Sequence, residues 1–560
     1  MKPFIVNTII LILGCWLSSA LAEGTAPTMP SSTSSTSTNV QTAENIAPLL
    51  TALTKAKLSK SAKILVQLEQ TGGTAMLPLF EQMLNGKLYY QRADAQIIYQ
   101  VKDSNDTKQY FDIFSKAPLG ALDSSLVKKI RVNSKLRTHL KNTIARIQLN
   151  HGNDEERLHA VIKLTEKLTQ ASIDELSAAL KTEVNGKVRE AIEKAIALYQ
   201  LQTSEDTPSK LIAIAALSGS LDSKVRNALL KLVEKNSEGK YIEKDRKVRV
   251  AVQAELKRID GRIKIFGFIE KMFFGLSAGS VLLLAAIGLA ITFGVMGVFN
   301  MAHGEMIMIG AYTTYGVQLL MPNFMEYSLF VAIPAAFLVA GIVGMIIEAT
   351  VIRHLHGRPL ETLLATFGIS LILQQAVRSF ISATNRPVVT PEWMSGSLEI
   401  NPIFSLTYNR IYILIFSLIV FFLLLTILKK TALGLHVRAV SQNRAMAKSL
   451  GIRTAWVDSM TFALGSGIAG VAGVALSQIT NVGPNMGQDY IIGSFMVVVF
   501  GGVGNLFGTL VGAFSLGIAN KFLEPATGAV LANILVLVFI ILFIQRRPKG
   551  LFPQKGRAAD

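Results

Sequence analysis

SAGSVLLLAAIGLAITFGVMGVFNMAHGEMIMIGAYTTY, Ser277 to Tyr315, is the stretch on which the fold turns. From Ala278 to Phe299 it holds apolar and small residues without a single charge. That is enough to cross a hydrocarbon core of roughly 30 Å as one helix. The run then meets Asn300-Met301-Ala302-His303-Gly304-Glu305 and resumes as MIMIGAYTTYGVQLL. A His and a Glu so close together, between two membrane-grade segments, are costly unless they face protein or water. Two readings stay open at this point. The polar residues form a short cytoplasmic turn between two spans, or they break a helix inside the bundle and line a path.

Composition agrees with a membrane protein. The 560 residues exceed one ordinary domain, half are hydrophobic, and the mean hydropathy is +0.41. The net charge of +18 is spread over both halves. Of 56 basic and 38 acidic residues, 18 and 10 lie in residues 271–560, leaving 38 and 28 in residues 1–270. The second half keeps its charges in short clusters between apolar runs, the pattern of membrane orientation rather than of nucleic-acid binding. One Cys excludes a zinc pattern, and without a P-loop any ATP must be hydrolysed by another chain.

The chain begins with MKPFIVNTIILILGCWLSSALA, a Lys, an apolar core and an Ala-x-Ala end. Residues 1–22 are expected to be a secretory signal peptide. A lipoprotein signal ending at Cys15 and an uncleaved anchor are the alternatives. Residues 23–44 are Ser/Thr/Pro-rich and read as a flexible tether. From residue 45 to 265 apolar residues recur at three- and four-residue spacing, the mark of a soluble helical domain. Gly186–Gln200, Ser223–Lys235 and Arg246–Ile259 each carry Lys-Val-Arg-x-Ala ahead of an apolar face. This weak repeat resembles HEAT-type helix pairs; the plainer reading is an ordinary α-helical domain with similar amphipathic helices. Tyr89-Tyr90 reads as a short strand or loop.

Residues 266–547 form the membrane domain, with residues 548–560 as a cytoplasmic tail. Nine spans are expected, near 275–298, 302–320, 328–351, 360–382, 410–428, 456–479, 487–503, 505–523 and 528–545; eight spans plus a re-entrant segment is the alternative. Basic clusters at Arg353–Arg358, Lys429–Arg453 and Arg546–Lys549 follow three, five and nine of these crossings. All three counts are odd, so with those clusters in the cytoplasm the chain before the first span lies outside, where the leader also sends it. Lys257, Arg258, Arg262, Lys264 and Lys271 crowd the outer edge of the first span against this trend. Translocated domains obey the positive-inside rule poorly.

Within the spans, Thr362, Thr366, Ser370 and Gln374 recur every four residues on one stripe. Such a stripe offers donors and acceptors without net charge, which suits a small neutral polar solute better than an ion. With Asn300, His303 and Glu305 these are the transport-path candidates; interhelical hydrogen bonding is the competing role. Gly504, Gly508 and Gly512 read as two small-xxx-small steps on one helical face, for close helix packing. The loop KKTALGLHVRAVSQNRAMAKSLGIRTAWV is basic and amphipathic, with Ser441 expected to cap a short helix ending near Leu450 and Gly451.

Four segments carry a family resemblance. They are GLSAGSVLLLAAIGLAITFGVMGVFNMAHGEMIMIGAY, with its Asn-x-Ala-His-Gly-Glu signature, GRPLETLLATFGISLILQQAVR, RAMAKSLGI and RRPKGLFPQKGR. They resemble the permease subunits of ABC importers for branched-chain amino acids, amides and urea. The secreted helical extension makes the whole look like the urea permease in particular. The resemblance implies that Arg444, Ala445, Ala447, Leu450 and Gly451 belong to the coupling segment, whose small apolar face docks on an ATPase subunit. It also implies a second permease subunit, two ATP-binding subunits that hold ATP-Mg, and a periplasmic solute-binding protein. No cofactor on this chain and no nucleic-acid partner are expected. The expected fold is all-α, a multi-pass inner-membrane bundle of eight or nine spans preceded by a periplasmic helical domain over residues 23–265. The expected function is a non-enzymatic importer permease, for urea, with amino acids or short-chain amides as the nearest alternative. A facilitative channel with a sensory domain is the alternative from another class.

Overall fold

The computed structural model describes residues 36–56, 58–102, 108–123, 125–297, 299–355 and 357–552. The signal-peptide expectation and residues 23–35 of the expected tether lie outside them. The chain divides into two compact units, residues 1–217 and 218–560. Both are mostly helical, as expected.

In the first unit α1 (Thr36–Lys55), α2 (Leu58–Gly72) and α3 (Leu77–Leu84) lead into a sheet. Helix α1 starts inside the stretch read as a tether. The sheet is the main departure from an all-helical reading. Its strands β1 (Leu88–Gln91), β2 (Ile97–Lys102), β3 (Lys108–Asp112), β4 (Pro118–Gly120) and β5 (Val127–Lys129) are antiparallel in the order β4-β3-β2-β1-β5. Tyr89 pairs with Ile98 and Tyr99 with Phe111, so aromatic and β-branched side chains stand opposite one another. Phe80, Leu88, Leu65 and Leu140 fill the core beneath.

Five helices follow: α4 (Ser134–His151), α5 (Asp154–Leu164), α6 (Gln170–Thr182), α7 (Gly186–Thr203) and α8 (Thr207–Ala216). Asn153 and Glu156 form a reciprocal capping box at the start of α5.

The second unit opens with α9 (Ser223–Val233) and α10 (Arg246–Met296). The repeated Lys-Val-Arg has a local cause. Asn185, Asp222 and Asp245 each cap a helix by accepting the backbone N–H of the following Lys187, Lys224 or Lys247. The next residue, Val188, Val225 or Val248, is buried each time. Helix α10 then runs unbroken for 51 residues, about 76 Å, through residue 265 and into the apolar sequence.

After it come α11 (His303–Leu320), α12 (Ser328–Thr350), α13 (Pro359–Phe380), the hairpin β6 (Ser397–Asn401) and β7 (Phe404–Thr407), α14 (Tyr408–Lys430), α15 (Ala432–Gln442) and α16 (Arg444–Ser449). Then follow α17 (Thr454–Ser477), α18 (Met486–Gly501), α19 (Leu506–Thr527) and α20 (Ala529–Arg546). Helices stand at all nine expected span positions. Seven are long and apolar enough to cross a membrane; α11 and α18 are not. Helix α11 carries His303, Glu305 and Gln318, and α18 has only 16 residues.

Helix α17 is the hub. A Cβ on Gly465 would stand 2.8 Å from the Gly288 carbonyl oxygen of α10, one on Gly473 2.0 Å from Ile307 oxygen of α11, and one on Gly470 2.6 Å from Ala336 oxygen of α12. Backbone therefore lies on backbone along most of its length.

Candidate functional site

Gly297, in left-handed backbone at φ +68°, ends α10. The chain then returns to begin α11 at His303, and two contacts fix the depth of that start. His303 Nε2 lies 3.0 Å from the carbonyl oxygen of Ala285, eleven residues back from the end of α10, or about 16 Å. The N–H of Met301 donates to Thr366 Oγ1 at 3.1 Å, in the body of α13. The break is therefore inside the bundle, among the middles of helices, and not a turn beyond their ends. Asn300, Ala302 and His303 are buried. Asn300 Oδ1 accepts the Ala302 N–H at 3.0 Å, which turns the chain into the helix. Gly288 leaves room for the imidazole, since its Cβ would stand 2.8 Å from His303 Cε1.

Glu305, on the first turn of α11, is 1 % exposed. Its Oε1 accepts Ser370 Oγ at 2.8 Å and Gln374 Nε2 at 2.7 Å, while its Oε2 accepts no hydrogen bond. The stripe on α13 thus faces the break. Thr362 completes it by donating to Leu355 and Arg358 oxygens at 3.2 and 2.9 Å. The opposite face of α13, with Leu360, Leu364 and Ile372, is exposed. Five of the seven path candidates therefore meet at one place: Asn300, Glu305, Thr366, Ser370 and Gln374. His303 turns instead toward α10, and Thr362 lies one turn away at the start of α13. Much of their hydrogen-bonding capacity joins α11 to α13. Glu305 Oε2 and His303 Nδ1 are the buried polar atoms of the break left without a hydrogen-bond partner.

The loop after α14 differs from its sequence reading in two particulars, the residue that caps α16 and the side on which Ala447 lies. Ser441 lies in α15 and donates to Arg438 oxygen. The cap of α16 is Asn443, whose side chain accepts the Met446 N–H at 2.9 Å. Gly451, at φ +84°, closes the helix. Ala447 is 3 % exposed and packs inward on Val437, Val440 and Val457. The outward apolar side chains are Met446 and Leu450, the latter 74 % exposed, with Ala445 and Gly451 beside them. Arg444 is engaged within the chain, its guanidinium on the carboxylate of Asp458.

Gly508 and Gly512 lie in α19 against α18: a Cβ on Gly508 would stand 2.1 Å from Gly501 oxygen, and one on Gly512 2.9 Å from Val497 oxygen. Gly504 is not on that helical face. It precedes α19 at φ +78° and lies against Gly294 of α10, whose Cβ would stand 2.7 Å from Gly504 Cα.

Sequence reasoning passed over Asp458 and Ser459. A carboxylate inside an expected span was the available signal.

A family profile described as "Branched-chain amino acid transport system / permease component" matches residues 271–545. Three relatives align with nearly their whole length. The high-affinity branched-chain amino acid transport system permease protein LivH of Salmonella typhimurium is 30% identical over 295 residues, 51% of this chain and 95% of the relative. BraD of Pseudomonas aeruginosa, of the same description, is 29% identical over 297 residues, 51% of this chain and 96% of the relative. The probable branched-chain amino acid transport permease protein LivH of Methanocaldococcus jannaschii is 26% identical over 288 residues, 49% and 88%. The chain belongs to the branched-chain amino acid transport system permease family. Family membership and the seven long apolar helices make it a multi-pass membrane protein. In this permease the break at Asn300–Glu305 and the α16 segment both lie inside the matched region, and the first unit lies outside it. No solved structure matches the chain.

Proposed function

We propose that the chain is one of two membrane subunits of an ATP-driven importer whose solute is urea. The observation that carries this is Glu305: a buried carboxylate at a mid-bundle helix break, with one oxygen held by two neutral donors and the other without a partner. Irregular backbone at membrane depth is tolerated where it is buried in protein or lines a path. A small solute rich in N–H donors and without charge matches an unpartnered carboxylate oxygen flanked by hydroxyl and amide groups.

In this reading Asn300, Thr366, Ser370 and Gln374 shape the passage around Glu305, and His303 and Thr362 hold its walls. A periplasmic binding protein delivers the solute. Two partner subunits bind and hydrolyse ATP-Mg, and one of them docks on the outward face of α16 through Ala445, Met446, Leu450 and Gly451. The bundle sits in the inner membrane with its N-terminal part in the periplasm. The alternation of the last crossings is supported by contacts at the other end. Leu551 and Phe552 donate to Phe500 and Gly501 oxygens at 2.9 and 3.1 Å, so the ends of α18 and α20 share one side, as alternation from α17 requires.

The names of the relatives favour a second reading, in which the solute is a branched-chain amino acid. Those relatives align almost completely to about half of this chain, and so carry no counterpart of its N-terminal extension. That difference supports urea. The test is ATP-dependent uptake of labelled urea and leucine by cells with and without this chain. Urea uptake that requires the chain, and falls by about tenfold or more in Glu305→Gln, is expected. Leucine uptake in its place would overturn the urea assignment.

A further inference from the structure

We infer that Asp458 and Ser459, neighbours in the second turn of α17, are the joint that ties α16 to the bundle, so that displacing α16 moves α17 and α12 together. The inference rests on the importer reading above and names the residues that would carry its motion.

Three segments meet at these two residues. Asp458 has a side chain only 4% exposed, and its carboxylate takes both terminal nitrogens of Arg444, with Nη1 3.3 Å from Oδ1. Ser459 Oγ accepts Arg353 Nη2 at 2.8 Å and donates to Glu348 Oε2. Arg353 Nη2 also stands 3.0 Å from that same Glu348 oxygen. Glu348 is buried in the last turn of α12, and Arg353 lies in the turn that follows it. Two guanidiniums and two carboxylates therefore balance, and the paired charges are held where separation would leave a carboxylate buried alone.

What happens at this joint reaches the break. Helix α17 touches α10, α11 and α12 through glycine backbone, and Ser466 fills the space opposite Gly344 of α12. Contacts this close leave little room to rearrange, so α17 transmits displacement as a rod. Gly473 lies fifteen residues, about 22 Å, beyond Asp458. It abuts Ile307 oxygen, two residues from Glu305. At the other end Ala447 and the Asn443 cap keep α16 in register while its outward face stays open. Arg444 and Asp458 act as positioning residues, through α17, on the site at Glu305.

The test uses the complete importer, purified through a tag on this chain and placed in proteoliposomes with its binding protein. Uptake and ATP hydrolysis are measured on one preparation. Asp458→Asn is expected to cut uptake by about tenfold while hydrolysis stays within about twofold of wild type. Asp458→Glu, which keeps the carboxylate, is expected to recover most of the uptake. Should Asp458→Asn fail to assemble, Ser459→Ala gives the same two readings, with a loss of about fivefold in uptake alone. Uptake unchanged in the assembled variant overturns the inference. So does a parallel fall of uptake and hydrolysis, which a merely structural pair would give. A wild-type preparation that moves solute without ATP would instead remove the importer reading itself.

Discussion

Replacing Gly310 with Ala puts a methyl group where α17 already is. The new Cβ would stand 1.9 Å from the carbonyl oxygen of Gly470 and 2.5 Å from its carbonyl carbon and Cα. Ordinary contact begins at 3.4 Å, so α11 and α17 must part by the difference, 1.5 Å. Helix α17 cannot simply retreat, because a Cβ on Gly470 would itself be 2.6 Å from Ala336 oxygen of α12 on its other flank. Overpacking costs about 1–3 kcal/mol when side chains can adjust. Here the obstacle is backbone, which places the cost near the upper end, about 3 kcal/mol. Alanine returns up to about 1 kcal/mol in helix propensity, leaving a net loss of about 2 kcal/mol.

Gly316, two turns along the same helix, is the control. Its Cβ would meet nothing within 4 Å, so Gly316→Ala carries the propensity gain alone. The two variants should differ by about 3 kcal/mol, roughly a hundredfold in the folding equilibrium. Titrating purified protein in mixed micelles with a denaturing detergent, followed by circular dichroism, reads this directly. Gly310→Ala as stable as Gly316→Ala would refute the claim that α17 is held by glycine contact.

Leu450→Glu should abolish co-purification of an ATP-binding subunit while leaving this chain's own stability within about 0.5 kcal/mol, since the side chain is exposed. Ala447→Leu should instead destabilise the chain by about 1–3 kcal/mol by overfilling the Val437–Val440–Val457 cluster, which a thermal melt of the full chain detects. Glu183 accepts Arg157 at 2.9 and 3.0 Å and the N–H groups of Val184 and Asn185, and the Arg157 bonds lead in holding its carboxyl below the usual range. With its folded value depressed, that contribution is present above about pH 4.3 and is lost as pH falls below it, so Glu183→Gln should flatten the acid limb of the stability–pH curve between about pH 5 and 3. A periplasm-active reporter fused near Lys240 should be active and a cytoplasm-active one silent; the reverse would invert the orientation.

Seven of the membrane helices were legible because each holds a long apolar run with few charges, and the stripe on α13 because a four-residue period survives without knowledge of its partner. The sheet was not. Its strands have three to six residues, and turns such as Gln91–Gln96, with Ala95 at φ +60°, carry no Gly or Pro to announce them. Gly504 was misplaced because a four-residue spacing is blind to where a helix begins, and Asn505 caps α19 one residue later. Ala447 was read on the docking face because α16 has six residues and no periodicity of its own. Its rotation is set by Asn443 and by the Arg444–Asp458 pair, a contact between residues fourteen apart.

The depth of the break follows the same logic and bears most on function. Sequence alone gives a polar hexapeptide between two apolar runs, which fits a surface turn as well as an interior one. What draws it inside is the set of partners waiting there. The Ala285 carbonyl, Thr366, Ser370 and Gln374 satisfy the polar groups that water would satisfy at the surface, and Gly304 and Gly487 let α11 and α18 begin in mutual contact, each Cβ position 2.4 Å from the other's oxygen. A helix that starts in mid-bundle needs its first-turn groups met by protein or by something passing through. At Glu305 the protein meets one oxygen and leaves the other buried without a partner, so the geometry that stabilises the break also leaves it an unsatisfied acceptor.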